Sequence, residues 1–166
     1  MAKEKVIELE EDLHFQKKWW HFERIAWMIM VLIVIAALFG LIGRGFLSHT
    51  IAGNRSDIIW IEFERFLRNK TISTIHVTIN DSGNNNKIEL TINREYAKSI
   101  RIEQVVPEPE AVEGSVDYIL YRFKMPEEKN QHLITFYIKP EKFGNHTAVF
   151  KLKDNLSIDF TQFIYP

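Results

Sequence analysis

The side chains that could do chemistry are six histidines, a group of carboxylates and one arginine at an apolar strand position. His14 and His21 stand seven residues apart, about 10 Å along a helix, too far to share one metal ion. His49, His76, His132 and His146 fall singly on separate segments, so no metal is expected. Glu108, Glu110, Glu113 and Asp117 gather in or beside a proline-containing loop. Calcium favours such oxygens, but the spacing matches no established calcium loop, and a solvated acidic loop is the simpler reading. Glu62 and Glu64 share a strand face as a carboxylate pair, without the partner acid or groove that glycoside chemistry requires. No G-x-S-x-G, H-E-x-x-H or P-loop pattern occurs. The absence of cysteine removes thiol catalysis, disulfides and cysteine-bound zinc. The sequence therefore assigns no catalytic residue and no cofactor, and a protein other than an enzyme is expected.

Arg65 is more informative. Period-two alternation places it on the row of Ile59, Ile61 and Phe63, facing the apolar side. A guanidinium there needs a carboxylate partner, a place at the sheet's end, or a contact with another protein.

The elements that would carry these residues are strands. Ile59-Ile61-Phe63, Ile75-Val77-Ile79, Ile88-Leu90-Ile92 and Ile100-Ile102 alternate with polar neighbours. Ile119-Tyr121-Phe123, Ile134-Phe136-Ile138, Ala148-Phe150-Leu152 and Leu156-Ile158-Phe160 do the same. The run Asn80 to Asn86 predicts a hairpin turn between the second and third, and residues 93–99 a single helical turn. Pro107-Glu108-Pro109 breaks the pattern. About eight strands with turns every 8–12 residues predict an antiparallel β-sandwich, immunoglobulin-like or a related Greek key.

Upstream the composition changes. Ile25 to Gly43 holds no charged residue over 19 positions, about 28 Å of helix, close to the thickness of a bilayer's hydrocarbon core. A lone span in lipid must be helical, because its backbone groups have no other partners. The expected organisation is a cytoplasmic amphipathic juxtamembrane segment at 1–24, a transmembrane helix at 25–43, a linker at 44–57 and an extracytoplasmic sandwich at 58–166. Lys17, Lys18 and Arg24 precede the span, whereas only Arg44 and Arg55 follow closely, which places the N-terminus in the cytoplasm. Trp19, Trp20 and Trp27 suit the headgroup layer, and Leu13, Trp20 and Trp27 recur at heptad spacing. Ala36 and Gly40, with Gly43 near the same face, form a small-xxx-small surface for helix packing. The totals of 21 basic and 22 acidic residues, net −1, argue against a nucleic-acid partner.

Several short segments resemble an uncharacterised group of bacterial single-pass membrane proteins. They are Phe22-Glu23-Arg24-Ile25-Ala26-Trp27, Gly40-Leu41-Ile42-Gly43-Arg44-Gly45, Glu62-Phe63-Glu64-Arg65-Phe66, Pro107-Glu108-Pro109 and Gln162-Phe163-Ile164-Tyr165-Pro166. The lack of cysteine in an exported domain points to a bacterial inner membrane and periplasm. The resemblance implies a partner in the same bilayer and no known activity, with relatives encoded near YetF-like membrane proteins. It carries no functional residues over. The expected role is an interaction protein, an accessory subunit of a membrane complex or a homo-oligomer. The alternative is an extracytoplasmic domain that senses a small molecule or glycan.

Overall fold

The computed structural model describes residues 13–38, 48–80, 87–125, 131–152 and 156–166. The chain divides into two compact units, Met1–Leu38 and Phe39–Pro166.

The first unit carries helix α1 (Leu13–Leu38), 26 residues without an internal glycine or proline. Its stretch Trp19–Leu38 has a mean hydropathy of 1.9 and is long and apolar enough to cross a membrane. Its 20 residues span about 30 Å, the hydrocarbon thickness of a bilayer. The expected continuation from Phe39 to Gly43 lies outside the described residues, so Gly40 and Gly43 receive no structural account.

The second unit is a two-layer all-β sandwich. The five-stranded sheet has the order β1 (His49–Ala52), β2 (Ile59–Glu64), β4 (Ser73–Ile79), β9 (His132–Pro140), β6 (Ile100–Val106). The six-stranded sheet runs β3 (Phe66–Arg68), β11 (Leu156–Tyr165), β10 (Gly144–Leu152), β5 (Lys87–Asn93), β8 (Tyr118–Lys124), β7 (Ala111–Gly114). A one-turn helix, α2 (Arg94–Ala97), follows β5 where the sequence predicts a helical turn.

Alternation drives burial. Ile59, Ile61, Ile75, Val77, Ile134, Phe136 and Ile138 point inward from one sheet, and Leu90, Ile92, Phe123, Ala148 and Phe150 from the other. An aromatic chain zigzags between the layers. Phe63 stacks on Phe160 at 4.0 Å, Phe160 on Phe150 at 5.8 Å, and Phe150 meets Phe136 edge-on at 5.8 Å. Such pairs add about 0.5–1.5 kcal/mol each beyond the area they bury.

Three expectations need correction. The segment 44–57, expected as a linker, contains β1, which pairs with β2 in register from His49↔Glu64 to Ala52↔Ile61. Polar composition concealed it, because only Ile51 and Ala52 are apolar in a four-residue strand. The strands on either side of Asn80 do not form a hairpin. β4 pairs with β2 and β9, while β5 pairs with β10 and β8, so the intervening chain passes between sheets. Alternation alone cannot distinguish a hairpin from a crossover. The expected antiparallel sandwich is present, with β3 and β11 as the one parallel pair among the described strands. Finally, β3 and β7 are additional strands of three and four residues, too short to show a period.

Each sheet edge carries a protective device. β1, β3 and β7 have only three or four residues, and β6 shifts register between Ile102 and Gln104 beside exposed Arg101 and Glu103. Short, bulged and charged edges resist strand addition.

Candidate interaction surfaces

On α1, Trp19, Trp20 and Trp27 are 61 %, 54 % and 60 % exposed. Trp20 lies under the Arg24 guanidinium, 4.1 Å from the ring centroid. That stacking holds the charge next to an aromatic face at the N-terminal side of the apolar stretch. Ala36 is the half-buried residue in an otherwise exposed row from Val31 to Leu38, because its methyl group sits below its larger neighbours.

Arg65 is exposed, which corrects its expected place on the apolar side. The reason is topological. The chain leaves the five-stranded sheet at Glu64 and joins the other at Phe66, so the alternation breaks between them. The Arg65 backbone bridges the crossing: its N–H donates to the Ser48 carbonyl and its carbonyl accepts from Phe163 N–H, both at 2.8 Å. Among the described residues no carboxylate pairs with the Arg65 side chain. Replacing Arg65 with alanine is therefore expected to change unfolding free energy by less than about 0.5 kcal/mol. Thermal unfolding checks this, and a loss near 3 kcal/mol would indicate a buried pair instead.

The group buried at this crossing is its neighbour, Glu64, 7 % exposed. Ser73 Oγ donates to Glu64 Oε2 at 2.8 Å, and His49 Nε2 lies 3.9 Å from Oε1. Gln162, fully buried, donates from Nε2 to the Glu64 carbonyl at 2.7 Å and accepts the Tyr96 hydroxyl proton at Oε1. Burial pushes the Tyr96 phenol far above its ordinary range, so it remains a neutral donor. This network locks β2, β4, β11 and α2 together. Sequence reasoning missed it; the available signal was the run Glu62-Phe63-Glu64-Arg65, where charge occupies both strand parities.

Glu62 and Glu64 do not act as a pair. Glu62 is held by Arg55 at 3.1 Å, and Arg55 also lies 5.5 Å from the Trp60 ring centroid. Glu113, from the acidic group, belongs to an ion cluster in which Arg122 binds both Glu113 and Glu89. Hydrogen bonds from Arg122 to Glu113 and Glu89 raise the guanidinium pKa further. His76 Nδ1 meets Thr135 Oγ1 at 3.0 Å, and His146 Nε2 faces the Lys142 carbonyl at 3.1 Å. Among the described residues no three histidines or carboxylates converge on one point.

The surface depressions are shallow. One of about 430 Å³ lies over β1, β2 and β4 between His49, Arg55, Glu62 and His76. Another of about 590 Å³ lies between Gly53, Asp57, Leu156 and Asp159.

The fold and these surfaces define a class: a β-sandwich module preceded by a helix able to span a bilayer. No family model matches the chain, and no curated protein matches it. Among solved structures it is similar to the cohesin module from Clostridium perfringens ATCC13124 family 33 glycoside hydrolase. The two share 10 % identity over 69 % of this chain and 98 % of that one, with a TM-score of 0.45.

Proposed function

We propose that this protein is a bitopic membrane protein that works by interaction, as an accessory subunit of a membrane complex or as a homo-oligomer. The observation that carries this reading is the surface of Trp19–Leu38, where the apolar side chains are exposed and none of the stretch is buried. A helix apolar all round needs lipid or another helix as its solvent. The sandwich closes its own core without that helix.

The basic residues before the span orient the N-terminus to the cytoplasm and the sandwich to the extracytoplasmic side of a bacterial inner membrane. The partner sits in the same bilayer, against Ala36, Gly40 and Gly43, where small side chains let two backbones approach closely. The protected sheet edges favour docking of the sandwich by a face rather than by strand addition.

Native gels of gently solubilised membranes test the reading. The expected result is a stoichiometric complex that dissociates when Ala36 and Gly40 are both replaced by leucine, because each added isobutyl group holds the helices apart. A lone monomer whose sandwich binds a soluble ligand would overturn it. A reporter fused after Pro166 that is active only in the cytoplasm would invert the orientation.

A further inference from the structure

One end of the sandwich is basic, and Ser48, the first of its described residues, lies at that end. Ser48 opens the described part of the sandwich, and its carbonyl binds the Arg65 N–H at 2.8 Å. From Arg65 a continuous set of backbone contacts runs across this end. Phe163 N–H donates to Arg65, Asn69 N–H to Tyr165, Lys70 N–H to Pro140, and both Glu141 and Lys142 to Ser99. These contacts bring Arg65, Arg68, Lys70, Lys98 and Lys142 around one rim, all exposed, and among the described residues none is paired with a carboxylate.

The nearby acids do not cancel them. Glu141 is bound by Arg101 at 2.8 Å, and Glu64 is buried against Ser73. Glu95 on α2 is the remaining exposed carboxylate close to Lys98. Two large apolar side chains share the rim, Phe143 at 58 % and Ile72 at 51 % exposed. A rim of exposed cations without carboxylate partners among the described residues, together with exposed apolar side chains, matches an anionic lipid surface, which offers phosphates above and hydrocarbon beneath.

Chain length makes that surface reachable. Ser48 is ten residues beyond Leu38, so the tether extends at most about 35 Å. Electrostatic attraction to a membrane decays over about 8–10 Å at physiological salt, and a tether of this length lets the patch come within that distance. We propose that this basic end docks on the anionic phospholipid headgroups of the bilayer that α1 crosses. The proposal rests on reading α1 as a membrane anchor.

The test uses the full chain in lipid nanodiscs of phosphatidylcholine, with and without phosphatidylglycerol. Amine modification is followed residue by residue by mass spectrometry. In discs containing phosphatidylglycerol, Lys70, Lys98 and Lys142 are expected to react about threefold or more slowly. Lys87 and Lys151, exposed on strands away from this rim, should be unchanged. High salt should abolish the difference, and Lys70→Glu with Lys142→Glu should restore Lys98 to its rate in neutral discs. Equal rates in both discs, in a chain incorporated into both, would overturn docking and leave the anchor intact. Failure to enter either disc, or association with anionic discs alone, would remove the anchor and with it the docking proposed on the bilayer that α1 crosses. Reactivity restored by inorganic phosphate at constant ionic strength would identify a free-anion site and overturn docking. So would equal protection in neutral discs by added polyglutamate, the signature of an acidic protein partner.

Discussion

Gln162→Leu is expected to lower the unfolding free energy of the sandwich by about 2–5 kcal/mol, as read by chemical or thermal unfolding. Leucine occupies a similar volume, so cavity formation contributes little. The loss comes from two orphaned groups: the Tyr96 hydroxyl loses its acceptor and the Glu64 carbonyl loses its donor. Each buried polar group left without a partner costs about 1–3 kcal/mol. Combining Gln162→Leu with Tyr96→Phe should recover part of the loss, because phenylalanine removes the hydroxyl that Gln162→Leu strands. Additive losses would mean that the two side chains act independently. A loss below about 1 kcal/mol for the single change would remove this network from the forces holding the crossing.

Above pH 10 the sandwich should lose stability steeply, and Tyr96→Phe should make that limb shallower. Burial holds the Tyr96 pKa far above its ordinary value of 10.0 in the folded chain, and Tyr121 is raised by the same cause. When unfolded, both phenols ionise near 10. The folded state therefore binds more protons above pH 10, and unfolding free energy falls as pH rises; below pH 10 both states are protonated and the contribution is fully present. One such group contributes a slope approaching about 1.4 kcal/mol per pH unit. Removing the Tyr96 hydroxyl should subtract about that amount, leaving the part due to Tyr121. Unfolding curves at pH 9, 10 and 11 check this, and an unchanged slope would place Tyr96 in contact with water.

Much of the layout was legible because its physics is local. The apolar run before Gly43 and the alternation from Ile59 to Phe160 are set by neighbours in the chain. Sheet membership was not, because β4 and β5 show the same period whether they form a hairpin or face each other across a core. Arg65 shows the limit at one residue. Period-two counting is valid only while the strand stays in its sheet, and the crossing at Arg65 restarts the count. The buried network depends on Gln162 meeting Glu64 across 98 positions, a pairing that no local pattern encodes. The basic rim was equally hidden, since its residues are scattered from Arg65 to Lys142 and only the fold gathers them.

The placement of β11 governs when this fold can exist. The last in chain order of the strands among the described residues, it lies inside its sheet between β3 and β10 and carries Phe160, Gln162 and Ile164 into the core. Until its 10 residues have left the ribosome, β10 lacks one neighbour, β3 has none, and the aromatic chain is broken at Phe160. Closure also joins segments far apart in sequence, a topology that folds slowly. The sandwich therefore cannot complete its six-stranded sheet, or its core, before β11 takes its place between β3 and β10.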